Sequence, residues 1–90
     1  MNLSMSNESI EELYDIILKL QSREDCKIFF EDLLTYKELE NLSQRVEAAK
    51  LLKEGMTYVQ IQEKTGIDNQ TLSRVSKSLK MGEGYKKFVK

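Results

Sequence analysis

The stretch TYVQIQEKTGIDNQTLSRVSKSL, residues 57–79, predicts two short helices that are joined by a tight turn. Thr57 followed three residues later by Gln60 resembles a capping box, and it opens a first helix of about eight residues. Gly66 ends this helix, and a second helix then runs to about Lys80. Two helices separated by a short glycine-containing turn form a helix-turn-helix unit.

The apolar side chains of this stretch occupy the places that such a unit requires. The side chains expected to press on the other helix and on the core are Val59 or Ile61, Ile67, Leu72 and Val75. Gly66 stands where the chain needs a positive φ, which glycine adopts without steric cost. Asp68 or Asn69 can cap the second helix.

The outward face of the second helix is polar, and no acidic residue lies between Asp68 and Glu83. Its side chains are Asn69, Gln70, Thr71, Ser73, Arg74 and Lys77, with Lys80 near the end of the helix. Short amides and hydroxyls match the donor and acceptor patterns of base edges, and arginine binds guanine or phosphate bidentately. An ordinary pair of core helices would carry mixed Glu and Lys here. We therefore predict that this helix binds double-stranded DNA, and the alternative is a helix pair that docks a protein partner.

Two kinds of DNA contact are predicted on this face. Asn69, Gln70 and Ser73 point outward in the first turns of the helix, where they reach base edges. The side chains assigned to backbone phosphates flank them and are Thr71, Arg74, Lys77 and Lys80. Asp68, at the entrance of the helix, is expected to be a cap and not a base contact.

Three further helices are predicted before residue 57, and each begins with a capping signature. Their predicted bounds are Ser6 or Asn7 to about Leu20, about Arg23 to Leu34 after Ser22 with Asp25, and Thr35 with Glu38 to about Glu54. Gly55 ends the third helix. The buried seam expected on this helix is Leu39, Leu42, Val46, Ala49 and Leu52. Residues 81–84 predict a turn before a short basic tail, Tyr85 to Lys90.

The apolar surface of the first two helices is broader than a small monomer needs. In the first helix it consists of Ile10, Leu13, Ile17 and Leu20, widened by Ile16 and Leu18. In the second helix the expected core residues are Cys26, Phe29, Phe30, Leu33 and Leu34. Such a surface fits two chains packed around each other as well as it fits a solitary bundle. We predict an obligate or near-obligate homodimer.

The composition of the 90 residues predicts an all-helical chain of one domain, because it has no proline, four glycines and 32% charged residues. The sequence has no apolar run of roughly 18 residues, and its N-terminus lacks the basic start and apolar stretch of an export signal. A cytoplasmic protein is therefore expected. Histidine is absent, so the lone Cys26 is expected to be a buried structural thiol and not a nucleophile. No enzymatic activity, metal or cofactor is predicted.

Charge is distributed unevenly along the chain. Residues 1–40 hold four basic and ten acidic side chains, a net charge of −6, whereas residues 41–90 hold ten basic and five acidic side chains, a net charge of +5. Such asymmetry indicates that one end of the domain meets a polyanion. The alternative is solvated helix faces that differ without functional meaning.

Residues from about Phe29 to Lys80 resemble the Trp repressor superfamily, in particular its YerC/YecD-type branch of short bacterial proteins. The resemblance is carried by TYKELENLSQRVEAAKLLKEG and by TGIDNQTLSRVSKSLK, in which the TxSR core is followed by SxSLK. It implies six helices per chain and an intertwined homodimer. The helix-turn-helix of each chain, here called its reading head, is implied to enter one of two successive major grooves of a near-palindromic operator. We accordingly divide the chain into a dimerisation core, 1–54, a helix-turn-helix, 57–80, and a short C-terminal helix or tail, 81–90.

Tryptophan-binding members of the superfamily hold a corepressor between the long central helix and the recognition helix. The positions here that match its arginines and hydroxyls are Arg45 and Arg74, with Thr35, Thr71 and Ser78. The residue at the place of the glycine that faces the indole is Val75, whose methyl groups would intrude on the ring. The turn after Gly55 is also one residue shorter than in tryptophan repressors.

We therefore expect the fold and DNA binding of the superfamily without a tryptophan site. In that interpretation Arg74 holds a phosphate, and Arg45 pairs with Glu38 or Glu47 on its own helix. The alternative is a repressor that needs a small-molecule corepressor such as tryptophan.

Overall fold

The computed structural model describes residues 3–90, with side chains from residue 7 onwards. These residues form six helices and no strand: α1 (Leu3–Ile17), α2 (Arg23–Leu33), α3 (Tyr36–Lys53), α4 (Tyr58–Thr65), α5 (Asn69–Met81) and α6 (Gly84–Phe88). The predicted all-helical class with six helices is confirmed. Within the described residues, no helix is long and apolar enough to cross a membrane.

The helices belong to two compact units, one ending at Thr35 and the other running from Tyr36 to Lys90. The N-terminal unit contains α1 and α2, and the C-terminal unit contains α3 to α6. The functional division at residues 54 and 80 that the sequence suggested stays a prediction.

The predicted bounds of α1 are wrong at both ends. The helix begins at Leu3, so Ser6 and Asn7 lie inside it and neither is its N-cap. It ends at Ile17 and not at Leu20, and the chain leaves it through two i→i+3 hydrogen bonds of 3.0 and 3.1 Å. No glycine or proline marks either end of this helix. Without such a residue, a serine or asparagine that could cap a helix is weak evidence for where the helix begins.

Ser22 caps α2 as predicted. Its backbone is extended, and its hydroxyl accepts a hydrogen bond from the Asp25 N–H at 3.0 Å. The Asp25 carboxylate in turn accepts from the Gln21 N–H at 2.9 Å. The helix ends at Leu33, one residue before the predicted end, because the backbone of Leu34 is extended.

The expectation that α2 contributes a buried core is wrong within one chain, since none of its residues is fully buried. Phe29 and Phe30 are half-buried with ring centroids 5.7 Å apart, and Leu33 is exposed. Cys26, expected to be buried, is also only half-buried. A unit of two helices has too few side chains to cover both of its apolar stripes.

The end of α3 has the geometry predicted for a C′ glycine. Gly55 has φ +91°, and its N–H donates to the Leu52 carbonyl at 3.1 Å. The N–H of Met56 donates to the Leu51 carbonyl at 3.1 Å, which completes a Schellman motif. Met56 also packs against the core that contains Leu51, so the motif turns the chain and anchors it there.

The core of the C-terminal unit joins the second half of α3 to α4 and α5. Its fully buried apolar residues are Ala48, Ala49, Leu51, Ile61, Ile67, Leu72 and Val75. The predicted seam of α3 is therefore wrong in part, because Leu42 and Val46 are 42% and 50% exposed. Ala49 is buried as predicted, and Ala48 is buried beside it, since small side chains let the other helices approach α3 closely.

Candidate nucleic-acid interface

The first helix of the predicted unit is α4, and its capping box is present as the sequence indicated. The Thr57 hydroxyl accepts from the Gln60 N–H at 3.2 Å, and the Gln60 side chain accepts from the Thr57 N–H at 3.0 Å. The helix is eight residues long. On its inner face Ile61 is fully buried, whereas Val59, the other residue predicted for this contact, is 63% exposed.

The turn between α4 and α5 is closed by hydrogen bonds within a few residues. Gly66 has φ +76°, the left-handed conformation that was predicted for it, and its N–H donates to the Gln62 carbonyl at 2.9 Å. The Thr65 hydroxyl donates to the Ile61 carbonyl at 2.8 Å and accepts from the Ile67 N–H at 3.1 Å. The side chain of Ile67 is then buried in the core, so the turn has little freedom.

Gln44 ties this turn to α3, a role that no local pattern in the sequence predicts. The Gln44 side-chain amide donates to the Thr65 carbonyl at 3.1 Å, across 21 positions of the chain. This hydrogen bond satisfies a carbonyl in the last turn of α4, where intrahelical donors run out. It therefore helps to fix the helix-turn-helix on the core.

Asp68 is the N-cap of α5, and Asn69 is the first residue of the helix. The Asp68 carboxylate accepts from the Thr71 N–H at 2.7 Å and from the Thr71 hydroxyl at 3.0 Å. These two hydrogen bonds, the backbone one first, lower the pKa of Asp68 below its ordinary value. The carboxylate thus satisfies backbone donors of α5. The proton of the Thr71 hydroxyl is committed to this cap, and its predicted phosphate contact stays a prediction.

The two faces of α5 differ in the way that the sequence predicted. The inner face buries Leu72, Val75 and Ser76. The outer face exposes Asn69, Gln70, Ser73, Arg74, Lys77 and Lys80, while Thr71 is half-buried. Among the described residues no carboxylate forms a salt bridge with the three cations of this face. Their charges are therefore available to an anionic partner.

A shallow cleft lies between α3, α5 and α6, and its walls include residues that match the corepressor positions of the superfamily. The lining side chains are Arg45, Thr71, Arg74, Val75, Ser78 and Tyr85. The cleft has a volume of about 90 Å³, well below the roughly 300–1,000 Å³ of small-molecule sites. Thr35 belongs to the N-terminal unit, and its role in such a site stays a prediction.

Tyr85 was not expected in this cleft, because the sequence predicted only a short basic helix or tail at this position. Nearly the whole lining comes from α3 and α5, and α6 adds this one aromatic side chain.

No group of histidine, cysteine, aspartate or glutamate within residues 3–90 has an arrangement that could hold a metal ion.

An all-helical chain with a helix-turn-helix and a polar, cationic second helix belongs to a known class of DNA-binding proteins. The model of the Trp repressor protein family matches residues 8–90, and the chain belongs to this family. Members of the family are DNA-binding regulators and not enzymes.

Relatives and solved structures agree with this assignment. The chain is 40% identical over 78 residues to the uncharacterised protein YerC of Bacillus subtilis (strain 168), covering 87% of this chain and 75% of YerC. A TrpR-like protein from Eubacterium eligens ATCC 27750 is 43% identical with a TM-score of 0.86, covering 94% of this chain and 89% of that chain. A candidate Trp repressor from Staphylococcus aureus is 44% identical with a TM-score of 0.84, covering 88% of this chain and 80% of that chain.

Proposed function

We propose that the protein is a sequence-specific transcriptional regulator, a repressor, that binds DNA as a homodimer through its helix-turn-helix. The observation that carries the proposal is the outer face of α5, where exposed amides, a hydroxyl and three cations stand without a carboxylate. Because the opposite face of α5 is buried, the helix is held by the core while this face remains open to a partner. A repressor role is the simplest consequence, since an occupied operator excludes polymerase sterically.

The homodimer is supported by apolar side chains that one chain leaves exposed. In the N-terminal unit they are Ile10, Tyr14, Ile17, Leu18, Ile28 and Leu33, and in α3 they include Tyr36, Leu42 and Val46. Exposed apolar surface of this extent is typical of an interface. Light scattering at micromolar concentration is expected to give a dimer, with an unfolding midpoint that rises with protein concentration. A monomer under these conditions would contradict the proposal.

The side chains of α5 that are assigned to base edges, the readers, should respond to substitution differently from those assigned to phosphates, the anchors. Gln70 represents the readers and Lys77 the anchors. The preferred site is first selected from random or genomic DNA, and we expect a near-palindrome with half-sites about 34 Å apart. Gln70→Ala should then cost about 1–3 kcal/mol of binding free energy on this site and little on random DNA. Lys77→Ala should weaken binding to both DNAs alike, because it removes a phosphate contact in each reading head.

Lys37→Ala is the matched control for the lysine variant. It removes the same charge from an exposed side chain of α3 that is paired with Glu40. Its DNA affinities should stay near those of the unmodified protein. If Gln70→Ala and Lys77→Ala shifted specific and non-specific affinity in the same proportion, the division of this face into readers and anchors would be wrong.

We propose further that tryptophan is not an effector of this protein. Val75 is nearly completely buried at the wall of the cleft, and Tyr85 already places an aromatic ring there. To admit the indole ring of tryptophan as well, one of these side chains would have to move, at a cost typical of overpacking. Isothermal titration of the protein with tryptophan is expected to show no binding, and micromolar affinity would refute this part of the proposal.

A further inference from the structure

The C-terminal helix α6 is fastened to both α3 and α5 by lysine side chains. The Lys53 ammonium of α3 donates to the Val89 carbonyl at 2.6 Å and to the Lys86 carbonyl at 3.3 Å. The Lys86 ammonium of α6 donates to the Lys80 carbonyl at 3.0 Å. Each lysine thus donates to carbonyls near the C-terminal end of a helix, where intrahelical donors are missing and a positive charge is favourable. The segment after α5 is therefore held in place and is not a free basic tail.

Tyr85 reaches the core from α6 beside the part of α5 where full burial stops. No side chain of α5 after Ser76 is fully buried. Tyr85 packs against the core and lines the cleft together with Arg45 of α3 and Val75 of α5. It is half-buried, whereas Phe88 on the same helix is 76% exposed. Tyr85 of α6 therefore adds an aromatic contact to the core beside the part of α5 that follows Ser76.

The chain approaches α5 too closely for any residue except glycine just before α6. A Cβ at Gly82 would lie 2.8 Å from the Ser78 carbonyl oxygen, which also accepts from the Gly82 N–H at 2.8 Å. Backbone atoms cannot yield to such a contact as a flexible side chain can. Gly84, two residues later, has no atom within 4 Å of its Cβ position. The close fit at Gly82 therefore restricts how the chain leaves α5, three residues before Tyr85.

We propose that Tyr85 is a positioning residue that sets the angle of the recognition helix on α3 without any bound small molecule. This inference rests on the proposed function as a DNA-binding regulator. Hydrogen bonds to base edges require an accurate helix orientation, whereas contacts to phosphates tolerate a tilt because they depend mainly on charge. Loss of the Tyr85 ring should therefore weaken specific binding more than non-specific binding.

The experiment compares Tyr85→Ala with Tyr85→Phe and with Phe88→Ala on selected and random DNA. Tyr85→Ala is expected to lose affinity for the selected site by about tenfold, the effect of losing one base contact, and to change affinity for random DNA by less than about twofold. Tyr85→Phe keeps the ring and should restore specific binding. Phe88→Ala removes an exposed ring from the same helix and should change neither affinity.

A loss of folded protein would lower both affinities in the same proportion, so the ratio separates positioning from mere stabilisation. Equal losses on both DNAs, or no loss on either, would overturn the proposal. If Tyr85→Ala does not fold, Gly82→Ala displaces the same segment by its contact with the Ser78 carbonyl, and Gly84→Ala is its control. The same change in the specificity ratio is then expected for Gly82→Ala alone.

Amide hydrogen exchange measured without DNA distinguishes a failure of the positioning role of Tyr85 from a failure of the proposed DNA-binding function. In Tyr85→Ala the amides in the second half of α5 should exchange faster than in the unmodified protein, while those of α4 stay protected. If the unmodified protein bound no DNA, the proposed function would fail, and faster exchange in α5 would still support the positioning role. Unchanged exchange in α5 would overturn that role whether or not DNA binds.

Discussion

Raising the salt concentration from about 50 to about 200 mM is expected to weaken binding to the selected DNA site about a thousandfold. Arg74, Lys77 and Lys80 are exposed on α5, so two reading heads would neutralise roughly six phosphates and release their counterions. The measurement is a fluorescence anisotropy titration at several salt concentrations. Its slope on a double logarithmic plot reports the number of phosphates.

Lys77→Ala provides the internal check of this slope. The slope of this variant should correspond to about one phosphate contact fewer for each reading head. Lys37→Ala should leave the slope unchanged, because its charge already faces Glu40. The rival function, an apolar groove that docks a protein partner, predicts an affinity that hardly responds to salt. A flat salt dependence would favour that rival over DNA binding.

Leu72→Ala is expected to destabilise the folded protein by about 2–5 kcal/mol. Leu72 lies on the inner face of α5, and its side chain is completely buried in the core shared with α3 and α4. Truncation there removes apolar contacts and leaves a cavity, and the cost is a large part of a total stability of about 5–15 kcal/mol. Urea unfolding at one fixed protein concentration measures the change, since an oligomer's midpoint depends on concentration.

Val59→Ala is the control, because Val59 lies on α4 but is mostly exposed. It should change the free energy of unfolding by less than about 0.5 kcal/mol. A similar small effect for Leu72→Ala would mean that the helix-turn-helix does not depend on this core. A large effect for Val59→Ala would instead indicate that a second chain covers the outer side of α4.

The sequence by itself determined the features that depend on neighbouring residues. The cap at Ser22, the capping box of Thr57 with Gln60, and the turns at Gly55 and Gly66 were all predicted and are all present. Each is closed by hydrogen bonds across a few positions, so the residue types and their spacing suffice to specify it. The inner and outer faces of α5 follow from the same periodicity.

The sequence did not mark the ends of α1, where no strong start or stop residue is present, and it did not separate the buried from the exposed part of α3. Leu42 and Val46 continue the apolar pattern of Ala49, yet they are exposed in this chain. Periodicity shows which residues share a face, but it does not show how far along the helix a neighbour extends. That extent depends on where α4 and α5 lie.

Only the tertiary structure decided the contacts between residues far apart in the chain. Gln44 meets the Thr65 carbonyl across 21 positions, and Lys53 meets the Val89 carbonyl across 36. Tyr85 enters the cleft beside Arg45 for the same reason. A polar or aromatic side chain has no local partner that would reveal such a role in the sequence, because its neighbours are set by how the helices pack around the shared core.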